Sequence, residues 1–150
     1  MVRHCRAVAE VAVKIARALD QAGYGLNIQL IQAAALLHDI ARDKANHARA
    51  GAAYLREKGY PQVAGIVETH MDMPDPVMDN VTEAAVVFLA DKLVQEDRPV
   101  SLEQRFQHIR NKYITNPDIA PCIEKRLYRA RAIKSEVEKM ISFPLERIIF

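Results

Sequence analysis

The stretch AAALLHDIAR at residues 33–42 constrains the fold of this chain more than any other. An unbroken apolar run places apolar side chains on nearly every face of a helix, which is typical of a helix buried on most sides. It leads directly into His38 and Asp39. Burying an imidazole and a carboxylate is costly unless the two groups are paired or bind a metal ion. The stretch therefore predicts a buried helix that ends in a paired or metal-binding His-Asp.

Four further residues give the His-Asp pair its context, since a dipeptide alone often arises by chance. His4 lies upstream, His47 and His70 lie downstream, and Asp91 follows an apolar run near residue 90. This order of residues resembles the HD-domain superfamily of metal-dependent phosphohydrolases, over the stretch from His4 to about Arg98. The last third of the chain adds no specific motif.

The resemblance implies a metal site of two imidazoles and two carboxylates, from His4, His38, Asp39 and Asp91. Such a mixed nitrogen and oxygen site suits Fe, Mn, Co, Ni or Zn with positions left open for water. In binuclear branches of the superfamily, histidines at the positions of His47 and His70 hold a second ion, and the Asp of the His-Asp pair bridges. We therefore expect one or two divalent transition metal ions. The alternative is a buried His-Asp hydrogen bond without a metal.

The basic residues near the motif bear on the substrate. Superfamily branches differ at the position three residues after the Asp of the His-Asp pair. The nucleoside 5'-monophosphatase-like branch has an acidic residue there, whereas the bacterial dinucleoside tetraphosphatase-like branch has a lysine. Arg42 occupies this position, so the chain resembles the tetraphosphatase-like branch. Lys92 and Arg98 also resemble that branch. We expect Asp39 and Arg42 to be catalytic, and Arg42, Lys92 and Arg98 to bind substrate phosphate, as guanidinium groups do with two parallel hydrogen bonds. The alternative for each cation is a solvated surface charge.

The remaining sequence predicts an all-α single domain, a bundle of about six to seven helices of the HD-domain type over residues 1–150. Helical periodicity and capping residues place the helices at 2–22, 28–41, 47–58, 61–70, 81–96, 102–114 and from Asn116-Pro117 to Phe143. Asn27 and Asn46 are predicted N-caps, and the pairs Asn80/Glu83 and Ser101/Gln104 are predicted capping boxes. No strand pattern of period two is visible.

Two local motifs need interpretation. Residues 71–76, with two prolines and two acids, predict an irregular rim beside the site. The tripeptide Gly59-Tyr60-Pro61 matches the one that names the cyclic-dinucleotide phosphodiesterase branch. It lacks the adjacent histidine pair of that branch, and we interpret it as a turn.

Composition narrows the class of protein. A net charge of +2 is too small to indicate nucleic acid or an anionic membrane as a partner. No apolar run has the length of a membrane span and the start has no signal-peptide pattern, so we expect a cytoplasmic protein. Two cysteines, Cys5 and Cys122, predict buried free thiols rather than a disulfide framework. His4 stands where chain ends usually fray, which is compatible with this chain being the C-terminal part of a longer protein.

The sequence thus predicts a metal-dependent phosphohydrolase whose substrate is a small phosphorylated molecule, a nucleotide or dinucleoside polyphosphate. The alternative is a regulatory HD domain that binds a nucleotide or a partner and catalyses little or nothing. No residue stands out as the general acid. His108 and the basic residues of the last helix are predicted to be solvated, namely Lys125, Arg126, Arg129, Arg131 and Lys134.

Overall fold

The structure, a computed structural model, describes residues 1–74 and 80–150. Within those ranges it has eight α-helices, one short 3₁₀ helix and one hairpin of two-residue strands. The helices are α1 Val2–Gln21, α2 Ile28–Leu37, α3 His47–Glu57, α4 Pro61–Glu68, α5 Glu83–Lys92, α6 Leu102–Lys112, α7 Ala120–Ile141 and α8 Glu146–Ile149. The 3₁₀ helix is Pro117–Ile119, and the strands are β1 Val94–Gln95 and β2 Arg98–Pro99. The all-α prediction is confirmed.

The main core lies where α1 packs against α2, α5 and α7. Each of these helices buries a stripe of apolar side chains at helical spacing, and α5 buries its whole apolar run. The largest fully buried apolar side chains are Phe88, Phe106, Ile15, Leu19, Ile31, Leu89, Leu93, Leu102, Leu127, Ile133 and Leu145. This core fixes α1, α2 and α5, which carry four of the predicted metal ligands or end next to them.

The hairpin of α3 and α4 packs beside that core around a smaller apolar cluster of its own. Gly51 allows the close approach, because a Cβ atom there would lie 3.2 Å from Cγ2 of Ile40 and 3.4 Å from Cγ1 of Val67. Gly59, with φ +92°, turns the chain, and Pro61 opens α4. The interpretation of residues 59–61 as a turn is confirmed.

Several predicted boundaries are wrong, and contacts between side chains and backbone explain them. The second helix ends at Leu37 and not at residue 41, because Nδ1 of His38 donates to the carbonyl oxygen of Ala35 at 2.7 Å, a group of the last helical turn. Asn27 does cap this helix, accepting from the Leu30 N–H at 3.0 Å. Asn46 makes no side-chain cap to α3 and adopts a left-handed conformation with φ +50°.

Of the two predicted capping boxes, one is confirmed and the other is wrong. Ser101 and Gln104 form both bonds of a capping box at the start of α6. At α5 the cap is Thr82, whose hydroxyl accepts from the Ala85 N–H at 3.1 Å, and not Asn80. Glu83 instead accepts from the backbone N–H of Asn27 at 3.1 Å, a contact between distant parts of the chain.

Beyond α5 the chain also departs from the prediction. The helix ends at Lys92, and Val94–Gln95 pairs antiparallel with Arg98–Pro99, although no period-two pattern marked these strands. Of the rim predicted at residues 71–76, the first four have irregular backbone as expected, and residues 75 and 76 lie outside the described ranges. Cys5 is buried as predicted, whereas Cys122 is exposed.

The last long helix is less solvated than predicted. Arg129 is buried at 8% exposure, and Arg126 forms two hydrogen bonds to Asp72, at 2.9 and 3.1 Å. In the described part of the chain, no helix has both the length and the apolarity that crossing a membrane requires.

Candidate metal centre

Six side chains from five parts of the fold converge on one buried point. They are His4 of α1, His38 and Asp39 just after α2, His47 at the start of α3, His70 just after α4 and Asp91 of α5. Four of the six are almost wholly buried, with 0 to 6% exposure, and the other two are partly buried. All six predicted metal ligands are therefore brought together.

A first group of ligand atoms surrounds Oδ1 of Asp91. Nε2 of His4 lies 3.1 Å from this oxygen and Nε2 of His38 lies 3.4 Å from it. A second group surrounds Asp39, whose Oδ1 lies 3.4 Å from Nε2 of His47 and 3.6 Å from Nε2 of His70. The other oxygen of Asp39, Oδ2, lies 3.5 Å from Nε2 of His38. The Asp39 carboxylate thus stands between the two groups, with one oxygen toward each.

Backbone carbonyls fix the imidazole tautomers. Nδ1 of His38 donates to the Ala35 carbonyl at 2.7 Å, Nδ1 of His70 to the Val67 carbonyl at 2.6 Å, and Nδ1 of His4 to the Glu96 carbonyl at 2.8 Å. Because a carbonyl only accepts, these nitrogens carry the proton, and Nε2 of a neutral ring presents a lone pair to the cluster. Metal-binding histidines are commonly oriented in this way.

The cluster consequently needs a cation. Nε2 of His38 is buried and makes no hydrogen bond within the described residues, although oxygens of Asp39 and Asp91 lie near it. A lone pair that faces two carboxylates is repelled unless a proton or a metal ion stands between them. Ligands about 2.0–2.2 Å from a metal lie roughly 2.8–3.6 Å from one another in octahedral and tetrahedral sites. The observed separations of 3.1 to 3.6 Å match that spacing, so the donor set fits divalent transition metal ions.

The pKa shifts of the metal-free cluster also indicate that Nε2 of His38 takes up a proton when no metal ion is bound. Burial by itself lowers the pKa of His38, but its contacts with Asp91 and Cys5 and the charges of both carboxylates raise this pKa to about 10. Burial raises the pKa of Asp91, yet the charge of Lys92 and contacts with His38 and His4 bring it well below its usual range. Proton and metal ion therefore compete for Nε2 of His38.

Arg42 reaches the cluster from the irregular segment after α2. Its Nη1 donates to Oδ2 of Asp39 at 2.7 Å, while 58% of its side chain stays exposed. This contact raises the pKa of Arg42 despite partial burial, so the group is a permanent cation at the mouth of the site. The role predicted for Arg42 beside substrate phosphate stays a prediction.

Lys92 occupies a different place from the one predicted. Its Nζ is buried, donating to Oδ2 of Asp91 at 2.6 Å and to the carbonyl of His70 at 2.9 Å, and it lies 4.6 Å from the centre of the Phe88 ring. With 4% exposure it supports a metal ligand from behind and does not face substrate. Arg98 is exposed on β2 and is not among the side chains that line the cavities beside the metal centre.

Two cavities open onto the cluster, with volumes of about 420 and 330 Å³. Both are lined by Asp39 and Arg42 and, from α6, by Arg105, His108 and Lys112. His108 is exposed, as predicted, but it belongs to this wall, so the last third of the chain does contribute to the site. Sequence reasoning missed the three residues, although their spacing of three and four marks one helix face.

Buried Cys5 also lies near the cluster. Its thiol is close enough to His38 and Asp39 that the three ligand atoms lie within 4.8 Å of one another. The thiol is the only soft donor among the clusters found in the described ranges.

Fold and cluster together define a helical domain with a buried His/Asp cluster that could hold a metal ion, and comparison with known proteins agrees. The HD domain model matches residues 1–95, so the chain belongs to the HD-domain family, a family of metal-dependent phosphohydrolases. All six clustered ligands lie within the matched residues, whereas α6 and α7 lie beyond them.

Relatives extend this picture. An uncharacterised protein of Methanocaldococcus jannaschii is 32% identical over 138 residues, which cover 85% of this chain and 77% of that protein. Two proteins named tRNA (cytidine(56)-2'-O)-methyltransferase also match over 75% of this chain, at 34% identity in Picrophilus torridus and 32% in Thermoplasma volcanium. The matched stretch spans only 36% and 37% of those longer proteins. No solved structure matches the chain.

Proposed function

We propose that this chain is a phosphohydrolase that uses one or two divalent transition metal ions, Fe, Mn, Co, Ni or Zn, to cleave a nucleotide with a chain of phosphates. The observation that carries the proposal is the joint lining of the cavities by metal ligands and cations. Asp39 and Arg42 line both cavities together with Arg105, His108 and Lys112 of α6. An anionic chain suits such a lining, since successive phosphates can each find a positive partner.

The proposal gives each group of residues a separate role. His4, His38, Asp39 and Asp91 would hold one ion, and His47 and His70 would hold a second together with Asp39. A bound ion of this kind lowers the pKa of water and neutralises charge on a phosphate oxygen. Arg42 binds the phosphate being transferred with its exposed guanidinium.

The 330 Å³ cavity also has room for a nucleoside. Its lining includes the side chains of Ile109, Tyr113, Ile119 and Ile123 as well as the carboxylates of Asp39 and Asp91. Ligand sites commonly combine apolar surface with a few polar groups that fix orientation. A base against the apolar side chains and phosphates against the basic ones would use both parts of this lining.

The test is a substrate panel with protein loaded separately with Mn²⁺, Fe²⁺, Co²⁺, Ni²⁺ and Zn²⁺. We expect nucleoside triphosphates or dinucleoside tetraphosphates to exceed nucleoside monophosphates in kcat/KM, and Asp39→Asn to abolish turnover. Asp43→Asn is the matched control, because that carboxylate is four residues on and 79% exposed. A monophosphate preference would refute the proposed substrate, and activity retained by Asp39→Asn would refute the proposed site.

A second candidate function is suggested by the longer relatives. A matching stretch occurs within proteins named tRNA methyltransferases, which favours a regulatory domain that binds a nucleotide beside another activity. This candidate predicts nucleotide binding without turnover. Equilibrium dialysis of a radiolabelled nucleotide, followed by chromatography of the recovered nucleotide, separates the two candidates.

A further inference from the structure

We infer that one face of α6, which we call the α6 basic row, is a binding site for the second phosphate group of the substrate. The row consists of Arg105, His108 and Lys112. This inference rests on the proposed function, and it assigns part of substrate recognition to a helix outside the residues that match the HD domain model. Helical spacing places the three side chains on one face, and all three line both cavities beside the metal centre.

The row differs from several basic neighbours, since none of its members has an acidic partner among the described residues. Arg110, on the same helix, binds both oxygens of Glu124 at 2.8 and 3.0 Å. On α7, Arg126 binds Asp72 and Lys134 binds Glu138. In the part of the chain that the structure describes, the three basic side chains beside the cavity are therefore left without a carboxylate, whereas Arg110, Arg126 and Lys134 each have one.

Arg105 shows most directly that the row is built for a ligand. Its Nε atom is buried and has no hydrogen-bond partner in the described part of the chain. A buried donor without a partner is unfavourable, and structures retain one mainly where a ligand or water completes it. A phosphate oxygen is a suitable acceptor, because a guanidinium group can bind two phosphate oxygens side by side.

The shared lining limits what the ligand can be. Asp39, at the metal centre, lines the same cavities as the row. A single phosphate held at the metals and Arg42 would leave the row unused. A ligand with two linked phosphates would place one group at the metal centre and offer the next to the row. The row would then discriminate a diphosphate or longer chain from a monoester.

The experiment measures binding by calorimetry to the Mn²⁺-loaded protein. The probes are methylene diphosphonate, a diphosphate analogue whose P–C–P bridge resists hydrolysis, and orthophosphate. We expect Arg105→Gln and Lys112→Gln each to weaken the diphosphonate about tenfold or more, as loss of a charged hydrogen bond does, and to change orthophosphate less than about twofold. Arg110→Gln, on the same helix but paired with Glu124, should leave both affinities unchanged.

The outcomes separate the inference from the proposed function. Lys112 is exposed, so its variant tests the row even where Arg105→Gln does not fold. Diphosphonate affinity equal in Lys112→Gln and Arg110→Gln overturns the inference, whatever the protein hydrolyses. Selective weakening in a protein that hydrolyses no phosphate supports the row and refutes only the phosphohydrolase proposal.

Discussion

Replacing Lys92 by Met tests the buried side of the metal centre. In the wild-type protein, Nζ of Lys92 lies 2.6 Å from Oδ2 of Asp91 and 2.9 Å from the carbonyl of His70. Met has similar length and remains apolar, so it can keep the packing on Phe88 while removing the charge and three N–H donors. The variant therefore leaves a buried carboxylate and a buried carbonyl without this partner.

The expected loss of stability is large in metal-free protein. Removing one member of a buried ion pair costs about 3–5 kcal/mol, because the remaining charge stays buried. Retained packing reduces this, and we take about 3 kcal/mol for Lys92→Met. For a chain of this length, each kcal/mol lowers Tm by roughly 2–4 °C, so we expect a loss of roughly 6–12 °C.

Metal should change the result in a way that no other role of Lys92 explains. A divalent ion bound at Oδ1 of Asp91 would compensate the negative charge of this carboxylate, and the nearby ammonium group of Lys92 would repel that ion. We therefore expect the loss in Tm of Lys92→Met to be at least halved in Mn²⁺-loaded protein, and metal affinity to be equal or higher. Lys14→Met, at an exposed position of α1, is the control for the substitution itself.

The assay is thermal unfolding by circular dichroism, with chelator and with saturating Mn²⁺. A loss in Tm no larger than that of Lys14→Met, together with a raised KM, would refute our account and restore the predicted contact between Lys92 and substrate. A loss that is the same with and without metal would show that the ion does not share Asp91 with Lys92.

Three further predictions concern the same centre. Asp39→Ala should lower Tm mainly in metal-loaded protein, because a ligand that binds only the folded state stabilises it by mass action. An equal loss of Tm with and without chelator would instead make Asp39 a structural residue. Metal binding at pH 7.5 should release about one proton, since the pKa of His38 is raised to about 10, and calorimetry in buffers of different ionisation enthalpy measures this release. By the same linkage, His38 stabilises the metal-free protein below about pH 6.5, and this contribution is lost as pH rises toward 10. Gly51→Val should destabilise the fold by about 1–3 kcal/mol by overpacking, because a Cβ atom at Gly51 would lie only 3.2 Å from Cγ2 of Ile40. A urea midpoint unchanged from wild type would contradict this prediction.

Much of the fold was predictable because its signals are local. Asn27 caps α2, and Ser101 with Gln104 forms its capping box, through bonds within one helical turn. One failure comes from a contact between distant residues. Glu83 looked like half of a capping box with Asn80, but its carboxylate accepts from Asn27, 56 residues away in sequence. Such a contact leaves no periodic trace in a sequence.

The residues of the site also divide into those that the sequence could predict and those that it could not. The order of His and Asp residues placed all six clustered ligands, because their types and spacing form a motif. Lys92 was misplaced because a buried lysine and a solvated one look identical in sequence, and burial at 4% exposure depends on the elements packed around it. The α6 basic row was missed because Arg105, His108 and Lys112 look like an ordinary solvated face until the fold places them in the same cavities as Asp39.

The carbonyl groups behind His4, His38 and His70 have a consequence for how the centre assembles. Two of these carbonyls, those of Ala35 and Val67, belong to the last turns of α2 and α4, so helix formation itself aims the imidazoles. The rings are therefore oriented before an ion binds, and an incoming ion has to immobilise few further rotatable bonds. Metal affinity is thereby tied to the integrity of two helix ends. Fraying of either end, from local strain or a proline substitution, would release the ion before the domain unfolds.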